Sequence, residues 1–422
     1  MARQPLTRTA AEFDLTALLR PGDRISWAGV SAEPVLLTEL LAHEVERIGS
    51  VSVFFSLGST EALRPTPQVR VTAMGGGGTN RRHFAASAGG VLPVHCSSLV
   101  PLVTSGRLPI DVVFLQVTGP DAGGSYSAGT AIEHLAAAVP RARLVIAECN
   151  DRLPWTWGDT VIAPEHIDIV VPSSRPLVEM PPRPPDAVER AVAETVARLV
   201  PDRATLQLGI GGIPDALPGA LRDKRGLGLH CGIIGDGAVE LVEAGIVDNR
   251  HKEVDTGITV SMLLLGTRRL YDWAHRNERL RVRAPSYTHD PAVLAQFRRL
   301  VAVNSAIEVD LTGQVNAETV GGRHVGLVAG QVDFVRAGMR APGGRSIIAL
   351  PSTTRDRRRS RIVGALQDGV VTTARSDADF IVTEHGVADL AGLTLAERAQ
   401  AMIAIADPAF RAELAAAADR LC

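Results

Sequence analysis

The segment Leu206-Gln-Leu-Gly209-Ile210-Gly211-Gly212-Ile213-Pro214-Asp-Ala-Leu217 decides the fold class. It reads as a strand over Thr205–Leu208, a glycine turn, and a helix opened by Pro214. Proline is tolerated in a first helical turn because the N–H it lacks has no partner there. Glycines let backbone N–H groups come close to a ligand, and a helix N-terminus adds positive potential at the same place. Such a turn can hold a phosphate, a thioester carbonyl or an oxyanion, or it can be a tight connection with no ligand. Its spacing is not GxGxxG, so a dinucleotide fits poorly.

Outward from this turn, strand-like and helix-like stretches alternate. Strands are expected at Asp23–Ala28, Val51–Leu57, Asp111–Val117, Leu144–Ala147 and Ser346–Leu350, and helices at Pro34–Ile48, about Thr130–Ala138 and Asp186–Leu199. Alternation of this kind points to an α/β protein with mainly parallel sheets. With 422 residues the chain is too long for one ordinary core. Six prolines between Val170 and Arg190 mark a seam, taken as an extended connector, and give domains at 1–180 and 181–422. A faint internal echo suggests that the halves are related. Asp121-Ala-Gly-Gly124-Ser follows one strand, and Asp310-Leu-Thr-Gly313-Gln follows another, though Asp and Gly are common in any strand-end turn.

Apolar residues at 45 %, charged residues at 21 % and a net charge of −2 describe a globular protein with no electrostatic reason to bind nucleic acid. The four cysteines, Cys96, Cys149, Cys231 and Cys422, lack metal or disulfide spacing. The N-terminal MARQPLTRTAAEFDL has no apolar signal core, and no run of 18 apolar residues occurs, so the expectation is a cytoplasmic protein without a membrane partner.

Further glycine turns lie in the second half. Val325-Gly326-Leu-Val-Ala329-Gly330-Gln331-Val-Asp-Phe334 is one, and a strand ending in Leu350-Pro-Ser352-Thr353 follows. Ligands of open α/β sheets bind beyond the carboxyl ends of strands, where Ser352 and Thr353 sit, although such hydroxyls also simply cap the next element. The basic run Arg355–Arg361 suits phosphates, or is a solvated loop. His83, with Arg81 and Arg82, can meet substrate or solvate a turn.

Together VNAETVGG, VAGQVDFVRAG, GGRSIIALPST, LQLGIGGIPDAL, GDGAVELVEAGIV and SDADFIVTEHGVADL resemble the acetyl-CoA hydrolase/transferase family, which contains 4-hydroxybutyrate and succinyl-CoA:acetate CoA-transferases. The first half matches through SGRLPIDVVFLQVTGPDAGGSYSAG, so the resemblance spans nearly the whole chain. It implies two similar open α/β domains with the active site between them, a homodimer or larger homo-oligomer, and coenzyme A as substrate, with no covalently bound cofactor and no metal. It also implies catalysis by a glutamate that becomes a glutamyl-CoA thioester, which divides one hard step into easier ones. By position, Gly209, Ile210, Gly211, Gly212 and Ile213 lie along CoA. Gly326, Ala329, Gly330 and Gln331 fall in the turn that meets the thioester, with Gly330 offering an N–H. Asn316 orients the reacting carbonyl.

The chain departs from that pattern where it matters most. The family motif reads His-Thr-Glu, two residues, then Ser-Asp-Gly; here the matching segment is His230-Cys231-Gly232-Ile-Ile-Gly-Asp236-Gly237. Gly232 takes the place of the nucleophile, and a hydrogen forms no thioester. Leu327 and Ala329 stand where the family usually has glycine, and Ala391 where it often has arginine. Candidate replacements are His230 as a general base, Cys231 as a thiolate, and Glu318 or Glu384 as bases. Strand alternation would turn Cys231 away from the face shared by His230 and Gly232. The missing side chain also suggests open space for a larger substrate group. The expected activity is acyl or CoA transfer without a glutamyl-CoA intermediate, the acyl group passing directly to a second small molecule. A thioesterase is the alternative, and a silent CoA-binding or partner subunit is the alternative from another class.

Overall fold

The computed structural model describes residues 4–61, 63–85 and 89–420; Met1–Arg3 and Cys422 lie outside them. The chain divides into two compact units, Met1–Met180 with Val260–Thr288, and Pro181–Thr259 with His289–Cys422. Domains at 1–180 and 181–422 would assign Val260–Thr288 to the second half. Compactness groups that stretch with the first unit, and several of its polar groups bond there. Leu264 N donates to Thr130 O, Ser31 Oγ donates to Leu264 O at 2.6 Å, and Asp159 accepts from Arg283 Nε at 3.0 Å and Ala284 N at 2.8 Å.

The first unit holds an eight-stranded, wholly parallel sheet in the order Leu6–Thr7, Ile169–Ser173, Leu144–Asn150, Val112–Val117, Arg24–Ser26, Val51–Phe55, Val69–Ala73 and Gly89–Val91. Strands buried on both faces read as near-continuous apolar runs, as in Val112–Val117, where all six residues are buried and only Gln116 is polar. Trp27 anchors the core, stacked on Phe55 at 5.0 Å and Phe114 at 6.3 Å.

In the second unit the strands run Gly228–Ile234, Thr205–Gln207, Leu300–Ser305, Arg345–Ala349 and Phe380–Thr383, all parallel, closed by the antiparallel Gly386–Asp389. Numbered by appearance, the five parallel strands follow the order 2-1-3-4-5. In the first unit Arg24–Ser26, Val51–Phe55, Val112–Val117, Leu144–Asn150 and Ile169–Ser173 follow the same order. The third strand of each set leads into the same turn. Asp121 Oδ1 accepts from the N–H groups of Gly123 and Ser125, and Asp310 Oδ1 from those of Thr312 and Gln314. Each Asp N–H donates four residues on, and Gly124 and Gly313 share positive φ, 84° and 96°. The echo is therefore structural, and the halves share one fold.

Two expectations need correction. The proline seam does carry a ladder at its start, because Ile169–Ser173 pairs throughout with Leu144–Asn150. Pro172 fits because Val170 O, two residues earlier on the same side, accepts from Arg8 N past the end of the Leu6–Thr7 strand. The missing N–H of Pro172 thus faces an edge left open. The helix expected over Thr130–Ala138 is only Leu135–Ala138. Glu133 adopts φ 47°, and its carboxylate accepts from Gly29 N at 3.2 Å and Ser56 Oγ at 2.9 Å. A buried side chain therefore outweighs helix propensity at this point.

Candidate functional site

A cleft of about 640 Å³ opens in the second unit at the carboxyl ends of its central strands. Ile210–Pro214 follow the first strand, Ser305 and Ala306 the third, Ala349 and Pro351 the fourth, and Glu384 and His385 the fifth. Between the first and third strands the chain order reverses, which is where open α/β sheets place ligands. Beneath that point Asn304 Nδ2 donates to Gln207 Oε1 at 2.9 Å, tying the two strand ends together.

Two helices start at the cleft, with different electrostatics. Ala187–Leu199 begins with a capping box in which Asp186 accepts from Glu189 N at 2.9 Å and Glu189 accepts from Asp186 N at 2.9 Å. Arg183 pairs with Glu189 as well, so this terminus is already neutralised. Gly212–Ala220 begins at Gly211, with φ 111° and no side-chain cap. The Asp215 carboxylate in its first turn takes the Gly211 N–H, and no side chain caps the N–H groups that follow. A Cβ at Gly212 would run into the ends of the Glu189 and Arg183 side chains, so a larger residue there would displace that ion pair.

The basic run is not simply a solvated loop. Arg361 N donates to Ser352 O, Thr354 N to Arg359 O, and a bridge joins Thr353 to Ser360. This narrow hairpin returns Arg361 to the cleft wall beside Thr353, Thr354, Arg355 and Arg357, while Arg358 and Arg359 point out. Arg357 is bound to Asp407 at 3.1 Å. Burial, with the neighbouring Arg355 second, holds the Arg361 guanidinium below its ordinary value, yet arginine stays charged. Among the described residues the guanidinium groups of Arg355 and Arg361 have no hydrogen-bond acceptor. Glu384 is occupied, accepting from Ser352 N at 2.9 Å and Ser352 Oγ at 2.6 Å.

The expected nucleophile region forms a second cluster. His289, 1 % exposed, lies between Gly232 and Gly330. A Cβ on Gly232 would stand 2.9 Å from His289 Nε2, 3.2 Å from its Cε1 and 3.7 Å from Phe334 Cε2; a Cβ on Gly330 would overlap the same ring. Phe334 meets His289 edge-on at 4.9 Å, and His230 packs on Phe297 at 4.9 Å and Phe334 at 6.4 Å. Burial pushes the His289 imidazole down to about 3, so it is neutral at physiological pH. The place a Cβ would take at Gly232 is therefore crowded by the His289 ring.

The cleft brings together Ile210, Gly211, Gly212, Ile213 and Thr353, with Gly209 and Ser352 next in sequence. Gln331 reaches toward it through Ser305 O. His230 and Cys231 are fully buried outside its lining. Cys231 Sγ turns to the opposite side, meeting Leu208 N and Leu206 O, and burial raises its thiol to about 11. Asn316 is fully engaged. Its Nδ2 donates to Glu308 Oε1 at 3.0 Å and Thr319 O at 2.8 Å, and its Oδ1 accepts from Glu318 N and Thr319 N, both at 3.0 Å. Both amide hydrogens thus have local acceptors. Gly326 donates to Glu318 O, and a Cβ there would strike Ala317 O; Glu318 is buried and accepts from Thr372 Oγ1. Ala329 takes φ 45°, the conformation that favours glycine. His83 is buried against Phe55 in the first unit, and Arg82 pairs with Glu61.

Sequence reasoning missed His289, Arg183, Glu189 and Asp407. Only the Asp186-to-Glu189 capping spacing was a signal for any of them.

Family models match both halves: acetyl-CoA hydrolase/transferase N-terminal domain over residues 87–180, and acetyl-CoA hydrolase/transferase C-terminal domain over 266–418. The chain is 39 % identical to a 4-hydroxybutyrate coenzyme A transferase of Clostridium kluyveri, covering 93 % of this chain and 92 % of that one. The crystal structure of RipA from Yersinia pestis superposes with a TM-score of 0.91 at 30 % identity, over 99 % of this chain and 97 % of that one. A 4-hydroxybutyrate CoA-transferase from Porphyromonas gingivalis does so at 0.83 and 31 %, over 99 % and 98 %.

Proposed function

Because the chain belongs to the acetyl-CoA hydrolase/transferase family, we propose that it passes the acyl group of a CoA thioester directly to a second small molecule, with no glutamyl-CoA intermediate. The observation that carries this reading is Gly232, which has no side chain where the family resemblance puts the nucleophile, beside a ring that crowds the place a Cβ would take.

The cleft supports CoA as the acyl carrier. Its phosphates find the guanidinium groups of Arg355 and Arg361 and the uncapped terminus at Gly211. The Gly330 N–H is the proposed donor to the thioester oxygen, with the Gly209–Ile213 turn as the second oxyanion site. The acceptor X–H attacks the thioester carbon, the C–S bond breaks, and the acceptor's proton ends on the departing CoA thiolate as the new C–X bond forms. A homo-oligomer is part of the same proposal. No described helix is long and apolar enough to cross a membrane.

The test is CoA release from a panel of acyl-CoAs, read by mass spectrometry with water, carboxylates, alcohols and amines as acceptors. A new acyl product that forms while no protein-bound CoA accumulates supports direct transfer. Free acid alone makes the chain a thioesterase. Measurable CoA binding with no release overturns both in favour of a silent CoA-binding subunit.

A further inference from the structure

His289 is wedged on three sides. Gly232 lies below it, at a distance where a Cβ would stand 2.9 Å from Nε2. Gly330, beginning the Gln331–Arg340 helix, lies against the same ring edge and is spared a clash only by having no side chain. Phe334, one turn into that helix, closes the third side at 4.9 Å. The backbone at His289 is anchored too, because the next residue caps a helix: Asp290 Oδ1 accepts from Ala292 N at 2.6 Å and Val293 N at 3.3 Å, with Pro291 at the first helical position. Real Cβ atoms rarely approach other heavy atoms this closely, and packed surroundings give way only at a cost.

We infer that His289 is a specificity-determining residue: by filling the space of a side chain at position 232 against Gly330, it bars a covalent glutamyl route and leaves direct transfer to the acceptor. The inference rests on the direct-transfer reading for its consequence, but the wedge is testable apart from it. The absence of glutamate at 232 is then only half of the change. Reinstating it without removing the ring does not rebuild the glutamyl route.

The experiment compares Gly232→Glu with Gly232→Glu/His289→Ala, each incubated with acetyl-CoA and trapped with hydroxylamine or borohydride before mass analysis. In a working covalent route the Glu carboxylate attacks the thioester carbon and CoA leaves as thiolate, forming an acyl-glutamyl anhydride. The thiolate then attacks the glutamyl carbon and acetate departs, so glutamyl-CoA remains for trapping. Relief of overpacking predicts about fivefold or more trapped adduct in the double variant than in the single one, the equivalent of about 1 kcal/mol. Equal trapping in the two, or none in a double variant that melts like the native protein, overturns the inference.

A second measurement stands if either glutamate variant fails to fold. Gly232→Ala is expected to lower the melting temperature in the presence of His289 and to lose most of that effect beside His289→Ala; equal shifts in both backgrounds overturn the inference. Neither readout uses the native chain's own turnover, so failure of direct transfer and failure of the wedge give different results.

Discussion

Lys252 Nζ donates to the carbonyl oxygen of Leu229 at 3.0 Å, in the strand that carries His230 and Gly232, and to Ile258 O at 2.6 Å. The lysine is 3 % exposed, and burial pulls its ammonium down to about 8 from an ordinary value of 10.5. The sign follows directly. Between pH 8 and 10.5 the unfolded chain binds more protons at this site than the folded one, so stability rises with pH across that window. Below about 8 the cost of the buried charge is fully present. Lys252→Met is expected to remove this rise, worth at most about 3 kcal/mol, in denaturation midpoints measured from pH 7.5 to 10.5.

The CoA reading predicts a graded response at the hairpin arginines. Arg361→Ala and Arg355→Ala should each raise the KM for acyl-CoA about tenfold or more, since a charge-assisted hydrogen bond contributes about 1.5–3 kcal/mol. Arg358→Ala, on the outward side of the same hairpin, should leave the KM near the native value. Steady-state kinetics with acetyl-CoA check both, and equal effects at all three positions would remove the cleft from the argument.

A thiol held at about 11 is not a thiolate at neutral pH. Cys231→Ala should therefore keep acyl transfer within about threefold of the native rate, because a nucleophile deletion costs far more than that. In the native fold Cys231 should also resist iodoacetamide while denatured protein reacts, which peptide mass mapping reads. Loss of all turnover in a folded Cys231→Ala protein would return the cysteine to the mechanism.

Ala329 adopts φ 45° one residue before the helix-starting Gly330. A left-handed alanine costs about 1–2 kcal/mol, and glycine gives back part of that through a freer unfolded chain. Ala329→Gly is expected to stabilise the protein by about 0.5–1 kcal/mol in urea titration. Destabilisation would mean that the alanine methyl contributes packing worth more than the backbone strain.

Much of this was legible because it is local. Asp186 and Glu189 announce their helix by spacing alone, Gly211 and Gly212 sit where the turn needs them, and Asp121 and Asp310 repeat one turn in two halves. What was not legible depends on chain segments far apart in sequence. Glu133 leaves the helical conformation because Gly29 and Ser56 claim its carboxylate, and no pattern within residues 130–138 says so. Gly232 read as a vacancy because only its own segment was in view; the ring that crowds it comes from residue 289. The hold of Glu308 on an amide hydrogen of Asn316 likewise comes from outside its motif.

The excursion of Val260–Thr288 into the first unit bears on how the chain is made. During synthesis the first unit stays incomplete while Pro181–Thr259 is already emerging, and the second is interrupted before its third parallel strand, Leu300–Ser305, exists. A cut at the proline seam, although it falls in a stretch of sequence that looks like a linker, would strip Asp159 of its Arg283 partner and Thr130 O of the Leu264 N–H, so the N-terminal fragment would carry acceptors whose donors lie in the other piece.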